Sequence, residues 1–148
     1  MKQLHTYPIG LLLTLVLLVS ALAGCSPAPE EAPDITGDWL LVELNGDAVD
    51  LSQVEGLREP RMNLDGEGMK AGGNSGVNQF TATYTHEGDA FSLGPIAVTK
   101  MMGPPQAQAF EDAYLEALGK VDACSVMEGR LELSGAGQVL AVYQRPGE

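Results

Sequence analysis

Behind residue 34, one stretch of this chain carries helical periodicity and the segments on either side of it read as short strands. From about Gln106 to Lys120 apolar side chains recur three and four residues apart, at Ala107, Phe110, Tyr114, Leu118 and Val121, which lines one face of an α-helix. Glu111, Asp112 and Glu116 are expected off that face, the early acids and late Lys120 suit the helix dipole, and Gly119 is an ending signal. Strand-like runs precede the helix at Trp39 to Leu44, Arg61 to Leu64, Gln79 to Tyr84, Ala90 to Leu93 and Ile96 to Thr99. They follow it at Ala123 to Met127, Arg130 to Ser134 and Val139 to Tyr143. Asn45-Gly46, Asp65-Gly66, His86-Glu87-Gly88-Asp89 and Gly135-Ala136-Gly137 supply turn chemistry between runs. Residues 45 to 60 read as a long polar loop, and the glycines from Gly66 to Gly76 as a segment with several positive-φ positions. Without regular strand-helix-strand alternation a parallel sheet is excluded, leaving an α+β domain: an antiparallel sheet curved around the apolar face of a single main helix.

Ahead of this domain the chain reads as a targeting segment. Lys2 stands in an acid-free start, and an apolar run follows from Ile9 to Leu22. At about 14 residues it is short of the roughly 20 that span a bilayer. Leu22-Ala23-Gly24-Cys25 resembles the bacterial lipobox, in which small residues fit the peptidase cleft and the cysteine thiol takes a diacylglyceryl group before cleavage. Residues 1–24 are therefore expected to be a lipoprotein signal peptide, and Cys25 the lipidated N-terminus. Two or more acyl chains, palmitate-like in kind, anchor stably where one does not. Ser26 rather than Asp after that cysteine resembles the pattern exported to the outer membrane of diderm bacteria, facing the periplasm. Residues 25–34 then form the lipidated cysteine and a proline-rich stem, with Pro27, Pro29 and Pro33; such linkers extend at about 3.1 Å per residue. The folded domain is expected over residues 35–146.

Charge and cysteine count narrow the function classes. A formal net charge of −12, with eight Lys and Arg against twenty Asp and Glu, excludes the basic stripe that nucleic-acid binding requires. It serves solubility, or the steering of a basic partner. Of the two cysteines, processing claims Cys25 and leaves Cys124 alone, so no intrachain disulfide is expected.

Candidate chemistry is thin. His86 reads as a solvated turn residue before it reads as a general base, and Cys124, between Ala123 and Ser125, as a buried small hydrophobe before a nucleophile. Asp65-Gly66-Glu67-Gly68 is too short for an EF-hand and reads as a turn with solvated acids. Met62, Met69, Met101, Met102 and Met127 either fill the core or line an adaptable apolar groove. No nucleophile-elbow, zinc-protease or phosphate-loop pattern occurs. Neither a catalytic residue, a metal site nor a cofactor is expected.

Gly37-Asp38-Trp39, the run Gly73-Asn74-Ser75-Gly76-Val77-Asn78-Gln79-Phe80 followed by Tyr84, then Ile96-Ala97-Val98-Thr99-Lys100-Met101-Met102, the acidic helix and Leu131-Glu132-Leu133 together resemble the META domain, the family of HslJ-like heat-shock proteins. The resemblance covers about Ile35 to Arg145. It implies a cracked half-barrel of antiparallel strands wrapped on one helix, similar to lipoprotein pilots of secretion channels, often on envelope lipoproteins linked with stress or drug tolerance. It implies structural roles for the motif positions Trp39, Gly76, Asn78, Phe80, Tyr84, Thr99 and Met101, and supplies no catalytic residue. Relatives often carry cysteines where this chain has Val77 and Gly103; if those pair, their joint absence is one lost disulfide.

The function expected from these readings is a non-enzymatic binding module, anchored to the cell envelope by the lipid on Cys25 and engaging an envelope protein or apolar ligand. The alternatives are a pilot or assembly lipoprotein escorting one dedicated envelope protein, and a protease inhibitor.

Overall fold

A computed structural model describes residues 33–147; the expected signal peptide, Cys25 and the expected stem as far as residue 32 lie outside the described residues. The strands are β1 (Gly37–Leu44), β2 (Asp47–Ala48), β3 (Arg61–Asp65), β4 (Lys70–Asn74), β5 (Gln79–Glu87), β6 (Ala90–Leu93) and β7 (Ala97–Val98), then β8 (Ala123–Met127), β9 (Arg130–Gly135) and β10 (Gln138–Gln144). Between β7 and β8 runs the helix α1 (Pro105–Leu118).

All pairings are antiparallel, and eight strands close on themselves in the order β1-β3-β4-β5-β6-β8-β9-β10. The joint between β1 and β10 runs from Leu40 opposite Gln144 to Leu44 opposite Ala141. This corrects the expected open half-barrel: the domain is broadly α+β, but its sheet is a closed barrel. Each strand's alternation reports which face is buried and says nothing about which strand, about a hundred residues away, it will meet. Irregular registers between Leu41 and Glu43 and between Val139 and Ala141 bend the strands at the closing joint. The thinnest seam lies between β6 and β8, where Ala90 faces Ala123 and the backbone bonds are Phe91 N–H to Asp122 O (3.2 Å) and Cys124 N–H to Asp89 O (2.8 Å).

Lys70–Asn74, within the glycine-rich stretch expected to hold several positive-φ positions, is a strand. Its glycines serve close approach: a β-carbon on Gly73 would lie 2.0 Å from the Arg61 carbonyl oxygen of the neighbouring strand. Gly66, Gly68 and Gly72 have no positive φ, leaving Gly73 and Gly76 as the positive-φ glycines of that stretch.

Alternation fills the barrel interior. Phe80, Ala82 and Tyr84 of β5, Met62 and Leu64 of β3, Leu131 and Leu133 of β9, and Trp39 and Leu41 of β1 are all buried. Each large side chain of this kind contributes about 1.5–3 kcal/mol on burial. The Trp39 indole N–H donates to the Ile35 carbonyl at 2.8 Å, removing the cost of burying that polar atom. Pro105 opens α1, where its missing N–H costs nothing. Gly119 ends it in right-handed conformation (φ −70°), so the stop does not use glycine's left-handed freedom. Neither an acid in the first turn nor a base in the last complements the helix dipole; Lys120 lies past the end and pairs with Glu116 at 2.6 Å.

Candidate functional site

The helix face turned inward carries Ala107, Glu111, Tyr114 and Leu118. Glu111 was expected outside it, yet only 1% of its surface is exposed. The reason is geometric, since it stands four residues after Ala107 and three before Tyr114, inside the stripe.

A carboxylate at this depth persists because donors surround it. Its Oε1 accepts from the Ser75 hydroxyl, the Asn78 N–H (2.7 Å) and the Val77 N–H (3.3 Å). Its Oε2 accepts from the Asn78 side-chain amide (2.6 Å) and Gln108 (3.1 Å). Burial pushes the carboxyl upward, but the hydrogen bonds from Ser75, Asn78 and Gln108 outweigh it and hold Glu111 below the ordinary carboxylate value. The group is ionised at neutral pH and its lone pairs are occupied.

Asn78 is equally engaged. Its amide donates to Glu111 and to the Met101 carbonyl (3.1 Å), and its oxygen accepts from the Met101 N–H (2.7 Å) and the Thr99 hydroxyl (2.9 Å). Two donors and two lone pairs are the whole capacity of the group. Thr99 in turn accepts from the Gln79 N–H at 3.1 Å. One network therefore ties the β4–β5 turn, the segment after β7 and α1 together. Met101 joins it by backbone alone, its side chain being half exposed.

The other motif positions also pack. Trp39 lies under the Arg145 guanidinium, 3.9 Å from the ring centroid, a cation–π contact. Phe80 meets Tyr114 edge-on at 6.1 Å, and Tyr84 stacks on Phe91 at 5.5 Å while its hydroxyl donates to the Asp65 carbonyl (3.3 Å). Gly76 has φ +113°, and a β-carbon there would meet Leu57 at 2.6 Å and Phe110 at 3.4 Å.

That last contact leads to a groove the sequence did not disclose. It is lined by Leu44, Val49, Val54, Leu57, Phe110 and Ala113, with Asn45, Asp47, Ala48, Asp50 and Gln53, and encloses about 300 Å³. Residues 45 to 60, expected as a plain loop, fold onto the barrel to form it. β2 pairs with the end of β1, Asp50 caps a short 3-10 turn (Leu51–Gln53) through the Ser52 N–H at 2.9 Å, and the Arg58 N–H donates to the Gly76 carbonyl at 2.9 Å. The Arg58 guanidinium also donates to the Val77 carbonyl.

The remaining candidates disperse. Cys124 is buried, and burial pushes its thiol up to about 11. His86, expected as a solvated turn residue, lies on β5 against Phe91, and its Nε2 is buried without a hydrogen-bond partner. Asp65 turns the β3–β4 hairpin by accepting from the Glu67 N–H at 3.0 Å. Met62 is fully buried while Met69, Met101, Met102 and Met127 are exposed, so the methionines form no common groove. Among the described residues no cluster of three or more His, Cys, Asp or Glu is placed to hold a metal ion, and no helix is long and apolar enough to cross a membrane.

Residues 33–147 match the family model of the META domain. A solved structure of a protein from Burkholderia xenovorans, determined by NMR, is similar at a TM-score of 0.59 and 21% identity over 76% of this chain and 83% of that one. Another NMR structure is similar at 0.56 and 22% identity over 73% and 87%. These likenesses concern the fold. No curated protein matches the chain at a significant level.

Proposed function

The chain belongs to the META domain family, and on that premise we propose that it is an envelope-anchored lipoprotein whose barrel is a non-enzymatic binding module, serving envelope stress or drug tolerance. The observation that carries this reading is the division of labour at the helix end of the barrel. Ser75, Asn78, Thr99 and Glu111 spend their hydrogen-bonding capacity on one another, on Gln108 and on neighbouring backbone groups, so the polar motif is scaffold. Beside it the apolar groove of α1 and residues 44–57 stays open. A saturated polar staple next to an open apolar groove suits recognition, whereas catalysis needs a polar group free to reach a substrate. The charged start, apolar run and lipobox-like Leu22 to Cys25 support the anchor.

In-cell crosslinking of the full chain, with Cys25→Ser as control, tests the reading. Capture of envelope proteins that disappears in the control supports an anchored binding module, and one stoichiometric partner would specify escort of a dedicated protein. Wild-type chain that fractionates with soluble proteins and labels with no fatty acid sinks the anchor. Turnover abolished by a single carboxylate substitution sinks the non-enzymatic part.

A further inference from the structure

We propose, resting on the binding-module reading, that the groove between α1 and residues 44–57 receives a short peptide segment of a partner protein, with an apolar side chain seated in the groove and Lys or Arg beside it. The apolar floor is Leu44, Val49, Val54, Leu57, Phe110 and Ala113. Its volume of about 300 Å³ lies at the lower limit of ligand clefts, so it fits one or two anchoring side chains better than a whole drug-sized molecule.

The charge of the lining selects the flanks. Asp47 and Asp50 are exposed on the rim and no Lys or Arg lines the groove. The chain as a whole carries −12, which repels acidic segments and draws basic ones. The Ser52 hydroxyl and N–H hold the Asp50 carboxyl below its ordinary value, so this rim charge persists in mildly acidic surroundings.

The position of the groove suits a protein partner too. The described chain enters the barrel at Pro33 to Ile35, whereas Leu44 and Asn45 lie at the other end of the eight-residue β1. At about 3.3 Å per residue the groove is roughly 23 Å along the strand from Gly37. The groove thus opens at the end of β1 opposite the one where the described chain enters the barrel.

The test uses the immobilised full-length protein and three pools of eight-residue peptides that share random apolar centres and carry Lys, Ser or Glu flanks. The Lys pool should bind roughly tenfold more tightly than the Ser pool, with the Glu pool not retained. The preference should shrink between about 50 mM and about 500 mM salt. It should vanish in Asp47→Lys/Asp50→Asn, where asparagine keeps the cap on the Ser52 N–H, and survive in Glu87→Lys/Asp89→Asn, which makes the same charge change in the β5–β6 turn. All four positions are exposed, so unchanged melting of both variants separates lost binding from lost fold. Equal retention of the three pools, no retention of any, or a Lys preference that survives reversal at the groove overturns the proposal. So does light scattering that finds a dimer excluding the Lys pool, since the occupant is then a second copy. Each of these failures leaves the crosslinking result free to stand, because a partner captured elsewhere on the barrel still makes a binding module.

Discussion

A β-carbon built on Gly103 would stand 3.4 Å from the Val77 Cβ, with the two Val77 methyls at 2.7 and 2.9 Å. Valine fills the space that glycine leaves. The separation is just under the Cβ···Cβ range for a disulfide, roughly 3.5–4.5 Å, close enough for a small backbone shift to reach it, and these are the two positions where the family resemblance implies cysteines in relatives. The pair Val77→Cys/Gly103→Cys should therefore oxidise readily. Closing a loop of this length should stabilise the barrel by about 3.5 kcal/mol relative to the reduced form, read as loss of two free thiols and a melting shift reversed by reductant. Gly103→Ala alone places its methyl against Val77 and should cost about 1–3 kcal/mol.

Glu111 gives a prediction with a pH signature. Glu111→Gln puts amide hydrogens where the carboxylate accepts from Ser75, Asn78 and Gln108, and should destabilise the domain by about 2–4 kcal/mol at neutral pH. The folded-state value lies below the ordinary 4.5, so the folded form binds fewer protons than the unfolded one. This stabilisation is present in full above pH 4.5 and is lost as pH falls through the lower folded value. Urea unfolding of wild type and variant should show their gap constant near neutrality and narrowing below about pH 4.5. A gap independent of pH would mean that the carboxylate is not ionised in the fold.

These two sites mark where the sequence is legible and where it is not. Period-two alternation in Gln79 to Tyr84 and period-3.6 recurrence in α1 reflect local burial, and both elements stand where they were expected. At Glu111 residue type and position point opposite ways: a charge argues for the outer face, and the spacing from Ala107 and Tyr114 puts it on the inward one. The closing joint of β1 with β10, and the groove made when residues 45–60 fold back over Gly76, depend on contacts distant in sequence with no local pattern. Strand β4 was hidden because its glycines signal turns in isolation, and their reason, the Arg61 backbone opposite, lies on another strand.

Gly73 and Gly88 make a paired test of that last point. Gly73→Ala drives a β-carbon to 2.0 Å from the Arg61 carbonyl and must separate β3 from β4. The expected cost exceeds about 3 kcal/mol, with failure to fold as the extreme. Gly88 also has positive φ, +59°, but nothing lies within 4 Å of its added carbon. Gly88→Ala should cost only the left-handed backbone term, about 1–2 kcal/mol. Chemical denaturation of the two variants reads the difference, and similar losses would refute close approach as the reason for Gly73.

Cys124 supplies a probe of the barrel's thinnest seam. Its N–H bonds to the Asp89 carbonyl across the single β6–β8 pair, and burial raises its thiol to about 11. At pH 8 the folded state then holds only about a thousandth of the thiol as thiolate, and reaction with a disulfide reagent must await opening. Because so few backbone bonds join β6 to β8, the seam should part without unfolding the other strands. Modification of Cys124 should accordingly be slow yet faster than global stability allows, and nearly insensitive to low urea, since little surface is exposed in the opening. A rate that rises with urea from the start, with the slope of global unfolding, would show that the barrel opens only as a whole.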